Sequence, residues 1–126
     1  MLNLFEAHGF QVTCYAVGQA LEMNPAVAKA LVNGGHEVAS HAYRWLDYHA
    51  CHPELEKEYV ERQMRCLRDL TGRWPVGWYY GRLSPRSKGL VWEVYEELKG
   101  RGEEVKLKWE GDSYCDGEFL AWLLAS

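Results

Sequence analysis

Two short segments of this chain contain most of the side chains that could take part in chemistry. The segments are ASHAYRWLDY and GWYYGRLSP, and they supply an imidazole, two guanidinium groups, a carboxylate and three aromatic rings: His41, Arg44, Trp45, Asp47, Trp78, Tyr80 and Arg82. An imidazole with an unperturbed pKa of about 6.5 can exchange protons near neutral pH. A guanidinium offers a planar fork of donors to a carboxylate or a carbonyl-rich ligand. The pattern therefore predicts one cavity lined by these residues, with His41 as the catalytic group and the two arginines, Trp45, Trp78 and Tyr80 as substrate-binding groups.

Each of these residues also has a purely structural interpretation, which the sequence leaves open. An isolated histidine is more often structural than catalytic. Arg44 and Arg82 could be solvated or paired with Asp47, as surface charges commonly are. Trp45 and Trp78 could belong to the core.

A metal site is the alternative chemistry for this region. His41 is followed four residues later by Trp45 and not by a second histidine. Nearby, HACH offers His49, Cys51 and His52, but three donors in four positions fall short of a four-coordinate site, and no second cluster with zinc-finger spacing exists. For His41 this spacing leaves two possibilities open, a metal site with a missing ligand or a pocket that does not use a metal, and we interpret HACH as a loop entering a helix.

The first half of the chain predicts two helices and two strands in alternation. A short helix with Leu2, Leu4 and Phe5 on one face ends near Gly9, and QVTCYAV follows as a strand. Asn24-Pro25 begins a helix, in which Asn can cap and Pro fits the first turn, and Gly34-Gly35 ends it. HEVAS is the second strand.

The second half continues the alternation. Residues 53–71 form the clearest helix, with Leu55, Tyr59, Met64, Leu67 and Leu70 close to helical spacing and its Met and aromatic positions expected in the core. PVGWYYG is a third strand, SPRSKGLVWEVYEELKG is a helix opened by Ser84-Pro85, and EVKLKW is a fourth strand. Such alternation predicts an α/β fold with a parallel sheet, in which functional residues follow the strand ends.

Composition excludes several classes of protein. The 126 residues fit one domain, and a net charge of −4 does not fit a phosphate-binding surface, so no nucleic-acid partner is expected. No run has the length of a membrane span, and the first residues do not resemble a secretory signal. Four separated cysteines fit reduced thiols, so a cytoplasmic location is expected.

Two blocks of the sequence resemble the polysaccharide deacetylase (NodB homology) family and, within it, the allantoinase branch of the PuuE type. These blocks are NPAVAKALVNGGHEVASHAYRWLDY and LTGRWPVGWYYGRLSP, in matching order and spacing. The resemblance is strong over residues 1–95 and weak afterwards, where only DSYCDG is similar. It implies one partial domain over residues 1–126, forming part of a (β/α) barrel that is incomplete at both ends.

The resemblance also implies an activity. Metal-dependent members of the family use an acidic residue and a histidine pair at H-x-x-x-H spacing to hold zinc, which activates water. Here His41 matches the first histidine and Trp45 replaces the second, as in the allantoinase branch, so the resemblance implies no metal cofactor, with zinc bound through His41 as the alternative. The implied reaction is hydrolysis of a non-peptide carbon–nitrogen bond, converting allantoin to allantoate, with a small ureide or amide as the partner molecule.

The resemblance has departures that keep other functions open. The family's N-terminal acidic motif and C-terminal Leu-x-His-type motif have no counterpart here, and the sequence after Val91 diverges, as does the ending GEFLAWLLAS. The alternatives are a catalytically inactive fragment that binds a ligand or partner, and a chitin or other polysaccharide deacetylase. A partial barrel would also leave sheet edges uncovered, which predicts self-association.

Overall fold

The computed structural model describes residues 1–112 and has an α/β architecture. In chain order its elements are α1 (Leu2–Ala7), β1 (Thr13–Ala16), α2 (Gly18–Met23), α3 (Pro25–Asn33), β2 (Glu37–Ser40), a 3-10 helix (Tyr48–Ala50), α4 (Pro53–Thr71), β3 (Gly77–Tyr79), α5 (Ser87–Gly100) and β4 (Trp109–Gly111). Residues 113–126 lie outside the described part of the chain. They include Cys115, the divergent ending GEFLAWLLAS and most of DSYCDG, the segment for which a weak similarity is predicted.

The four strands form one parallel sheet in the order β1-β2-β3-β4. Thr13 pairs with Glu37, Ser40 with Trp78, and Gly77 with Trp109. Because every neighbouring pair is parallel, all four carboxyl ends lie at the same edge of the sheet. The predicted parallel α/β sheet is confirmed.

Helix α4 is the main packing element behind the sheet. Its Met64 and Leu67 are completely buried, and it lies between a cluster formed with β3 and α5 and a smaller one formed with β1, α2 and α3. Its predicted bounds are confirmed because Pro53 occupies the first turn and Gly72, with φ 77°, ends the helix in the left-handed conformation. Of the residues at helical spacing, Leu55 is 40% exposed, whereas its neighbour Glu56 is 2% exposed.

Several predicted boundaries differ from the structure. Helix α3 begins at Pro25 after Asn24, as predicted, but the Asn24 side chain makes no capping hydrogen bond and its amide instead donates to the Ala20 carbonyl of the preceding helix. Helix α5 begins at Ser87 because Ser84 and Pro85 belong to a turn whose hydrogen bonds involve buried side chains. The fourth strand begins at Trp109, so most of EVKLKW precedes it, and helix α2 had no predicted counterpart.

One face of the sheet carries aromatic side chains that point away from the helices. Tyr15 and Tyr79 stack with their ring centroids 4.7 Å apart, and Trp109 lies 5.8 Å from Tyr15. Tyr15 is 49% exposed. Within the described residues this face has no helical cover, as expected for part of a barrel. None of the described helices combines the length and the apolar character needed to cross a membrane.

Candidate active site

The two segments selected from the sequence meet at the carboxyl ends of β2 and β3. They line an open cleft whose empty space, open solvent included, is about 470 Å³, and its lining includes His41, Arg44, Trp45, Trp78, Tyr80 and Arg82 but not Asp47, whose expected place in the cavity is wrong. The parallel pairing of Ser40 with Trp78 brings the two segments together, since each follows directly from its strand. The predicted convergence of the two segments is therefore observed.

His41 is held at the strand end by backbone groups. Its amide donates to the Ala16 carbonyl at 2.8 Å, which fixes the residue beside β1. Its imidazole Nδ1 lies 3.2 Å from the Tyr79 carbonyl oxygen. Because a carbonyl can only accept, this contact places the proton on Nδ1 and leaves Nε2 as the atom that can accept a proton.

The surroundings of His41 restrict its ring further. The imidazole lies 5.2 Å from the Tyr79 ring, and a Cβ added at Gly81 would lie 2.8 Å from His41 Cε1. The next residue, Ala42, has φ 68°, and its amide donates to the Ser40 hydroxyl. A left-handed alanine is a strained conformation that the surrounding contacts must hold in place.

The two predicted arginines lie at the exposed side of the cavity. Arg44 Nη1 lies 3.4 Å from the Tyr59 hydroxyl, and this hydrogen bond raises the pKa of the guanidinium. Arg82 Cζ lies 5.8 Å from the centre of the Trp45 ring. Within residues 1–112 neither arginine forms an ion pair with Asp47, whose carboxylate instead accepts from the His49 amide. The alternative pairing considered from the sequence is therefore wrong.

The aromatic residues of the site occupy two different positions. Trp45 is 73% exposed and lies at the mouth. Trp78 and Tyr80 are buried and reach the cavity from the core, where Trp78 packs edge to face on Tyr95. The Tyr80 hydroxyl donates to Glu110 at 2.6 Å, and burial first, then this hydrogen bond, raises the Tyr80 pKa.

Sequence reasoning missed the residues that join the two segments. The Tyr48 amide donates to the Arg82 carbonyl at 3.0 Å, and its hydroxyl donates to the Arg44 carbonyl at 2.7 Å. Burial raises the Tyr48 pKa to about 12. Buried Glu56 accepts hydrogen bonds from Ser84 and Ser87 and also lines the cavity. The residue types of Tyr48 and Glu56 did not indicate these roles in the sequence, since a tyrosine in a loop and a glutamate on a helix are ordinary surface residues.

The described side chains do not fit a bound metal ion. Between residues 1 and 112 no group of three or more His, Cys, Asp or Glu is placed to hold one. Trp45, which contributes no ligand atom, stands four residues after His41. In HACH, His49 and His52 are exposed and Cys51 is partly buried in the turn that leads into α4. We derive no step through a metal, and the absence of a metal cofactor stays a prediction.

A parallel sheet with its site at the strand ends is typical of α/β-barrel enzymes. The family model described as polysaccharide deacetylase matches residues 1–99, and the chain belongs to this family. A Schizosaccharomyces pombe protein named as a polysaccharide deacetylase is 39% identical over 100 residues, covering 78% of this chain and 31% of the relative.

Solved structures of related proteins agree with this assignment. PuuE allantoinase superposes with a TM-score of 0.71 at 42% identity, covering 74% of this chain and 31% of that chain. A Pseudomonas aeruginosa PAO1 protein named as a polysaccharide deacetylase gives a TM-score of 0.70 at 43% identity, covering 76% and 31%. The chain therefore forms part of a (β/α) barrel of this type and spans about a third of the length of these relatives.

Proposed function

We propose that this chain supplies part of the active site of a hydrolase that cleaves a non-peptide carbon–nitrogen bond, with allantoin as the substrate and allantoate as the product. The observation that carries this proposal is Trp45. It stands where metal-dependent relatives of the family place their second histidine, and its exposed ring lies at the mouth of the cavity beside Arg82. The 42% identity to PuuE allantoinase supports the same substrate.

His41 is the proposed proton-transfer group. With Nδ1–H directed to the Tyr79 carbonyl, Nε2 can take a proton from water as the water oxygen attacks the ring carbonyl carbon. The carbon–nitrogen bond then breaks, and the proton passes to the leaving nitrogen, so that the imidazole returns to its starting state. Arg82 and the backbone N–H of Gly81 are the proposed donors to the developing oxyanion.

Polysaccharide deacetylation is the second candidate, which the family model and the names of three relatives favour. A Helicobacter pylori peptidoglycan deacetylase is 28% identical over 78 residues, covering 62% of this chain and 27% of the relative. That reaction also cleaves an amide carbon–nitrogen bond. In metal-dependent members it uses two histidines, whereas this chain has His41 and Trp45, and this difference makes deacetylation the weaker proposal.

Allantoin hydrolysis by the purified 126-residue chain, followed as allantoate formation, tests the proposal. The assay is run with and without a chelator, with added zinc, and in parallel on an acetylated chito-oligosaccharide. We expect turnover of allantoin that resists the chelator. Acetate release that requires zinc would establish the second candidate, and no turnover in any arm would contradict hydrolysis by this chain on its own and leave a ligand-binding role.

Replacement of His41 gives the matching residue test. We expect His41→Ala to lower kcat for allantoin by about 10²-fold to 10⁴-fold, the range for a general acid–base group. His49→Ala is the control, since His49 is exposed in the 3-10 helix and does not line the cavity. Equal turnover by the His41→Ala variant and the unmodified chain would remove His41 from the mechanism.

A further inference from the structure

Gln63 is a completely buried polar residue of α4 that the proposed mechanism does not use. Its side-chain amide nitrogen donates to the Ala16 carbonyl at 2.9 Å and to the Ser40 hydroxyl at 3.1 Å. Both acceptors lie at carboxyl ends of strands, one on β1 and one on β2. The two amide protons of Gln63 therefore join the ends of adjacent strands at the point where the His41 loop begins.

The two groups that accept hydrogen bonds from Gln63 also accept them from the backbone of His41 and Ala42, the residues that follow β2. The Ala16 carbonyl also accepts from the His41 amide at 2.8 Å. The Ser40 hydroxyl also accepts from the amide of Ala42 at 3.1 Å. His41 thus lies between two backbone amides, its own and that of Ala42, whose acceptors are both fixed by Gln63.

The carboxamide oxygen of Gln63 indicates that burying this side chain costs free energy. This atom, Oε1, has no hydrogen-bond partner among the described residues. This oxygen packs against Gly18 of α2, where an added Cβ would lie only 2.1 Å from it. An unsatisfied buried acceptor is destabilising, and an apolar side chain of similar length would avoid this cost.

We infer that Gln63 is a positioning residue for His41, which it orients through Ala16 and Ser40 without touching the cavity. The left-handed conformation of Ala42 is consistent with this role, since a strained residue persists only where its surroundings determine it. The consequence for turnover rests on the proposed function of His41, whereas the effect on the geometry of His41 does not.

Gln63→Met tests this inference, because it keeps the length of the side chain and removes both donors. The full chain is labelled with ¹³C at histidine Cε1, and the His41 resonance is assigned by its absence from a His41→Gln variant. We expect Gln63→Met to shift or broaden the His41 resonance, to leave those of His8, His49 and His52 in place, and to lower kcat by about 10²-fold, as expected for a misplacement near 1 Å.

Cys66→Ala is the matched control on the same helix. Cys66 is also buried and donates through its thiol to the Gly18 carbonyl at 3.4 Å, whereas the side-chain donor to Ala16 and Ser40 is Gln63. We expect this variant to lose stability and to keep the His41 resonance unchanged. Ser40→Ala is the second variant, which removes the hydroxyl between Gln63 and Ala42 and decides the question if Gln63→Met does not fold.

The outcomes separate the two proposals. A His41 resonance that moves in Gln63→Met or Ser40→Ala, but not in Cys66→Ala, supports the positioning role. This conclusion holds even if the unmodified chain does not hydrolyse allantoin, because missing turnover bears on the proposed function alone. An unchanged His41 resonance in the folded variants overturns the positioning role, whatever the turnover.

Discussion

Gly81 influences the position of the His41 imidazole because it has no side chain. A Cβ at this position would lie 2.8 Å from His41 Cε1, closer than side-chain carbons normally approach. Its φ is outside the left-handed range, so alanine can adopt the same backbone conformation. We expect Gly81→Ala to fold normally, to move the His41 imidazole and to lower kcat by about 10²-fold.

The comparison for this variant is Gly89→Ala. Gly89 lies in α5 with no atom within 4 Å of an added Cβ. We expect this change to stabilise the protein by about 0.5–1 kcal/mol and to leave turnover unaltered. Thermal unfolding and steady-state kinetics measure both variants, and a fully active Gly81→Ala would mean that the imidazole tolerates displacement.

Trp45 is the second residue whose role can be tested alone. Its ring is 73% exposed and contacts Arg82 at the mouth, so its removal leaves the core intact. We expect Trp45→Ala to raise KM for allantoin about two-fold to five-fold, the equivalent of an exposed cation–π contact of 0.5–1 kcal/mol. Trp92→Ala on α5, which is 46% exposed and outside the cavity, should leave KM unchanged. A large loss of thermal stability in Trp45→Ala would instead assign the ring to the core.

Residues next to the ends of helices and strands predicted some of their boundaries and not others. Pro53 and Gly72 mark the two ends of α4, and the structure agrees because both act through the backbone of their own residues. Helix α2 carries no such signal, since Val17 precedes it without a side-chain cap. The position of β4 depends on a distant residue: the Trp109 ring packs directly over Gly77, which has no side chain in the way.

The same distinction applies to the site. His41 and Arg82 could be predicted to converge because strand ends in a parallel sheet share one edge. Gln63 and Glu56 could not be predicted, since their importance comes from partners that are far away in sequence, such as Ala16 and Ser84. A polar residue on a helix has the same pattern whether it is solvated or buried.

The buried carboxylate of Glu56 connects α4 to the start of α5. Its carboxylate is 2% exposed and accepts hydrogen bonds from Ser84 and Ser87, which join the N-terminus of α4 to the turn before α5. Glu56→Ala would leave the two buried hydroxyls without this acceptor. We expect the free energy of unfolding to fall by about 1–3 kcal/mol, measured by urea denaturation.

The matched control is Glu58→Ala on the exposed side of the same helix. A surface substitution of this kind is expected to change the free energy of unfolding by less than about 0.5 kcal/mol. If both variants lose the same stability, the effect comes from the helix as a whole and not from the contacts of Glu56 with the serines.

For the whole molecule, the sheet divides the described residues into a packed side and an open side. The helices cover one face, while Tyr15, Tyr79 and Trp109 occupy the other, and β1 and β4 are the edge strands of the described sheet. Self-association through these edges stays a prediction, which light scattering over a range of concentrations measures. A monodisperse monomer at high concentration would contradict it.

Buried tyrosines give the whole molecule a defined response to alkali. Burial raises the pKa of Tyr48 from 10.0 to about 12, and it also raises the pKa values of Tyr80 and Tyr95. A raised pKa means that the folded state favours the neutral phenol. The stability that follows is fully present below pH 10 and is lost as the pH rises through about 12.

We therefore expect the protein to unfold cooperatively between pH 10 and about pH 12, with tyrosinate absorbance increasing together with the loss of helical circular dichroism. Tyr48→Phe keeps the buried ring but has no hydroxyl to ionise, so its stability should fall less steeply with pH across this range. The variant will be less stable at neutral pH, because the Arg44 carbonyl loses its donor at 2.7 Å. Tyrosinate formation that precedes unfolding would show that solvent reaches these hydroxyls in the folded state.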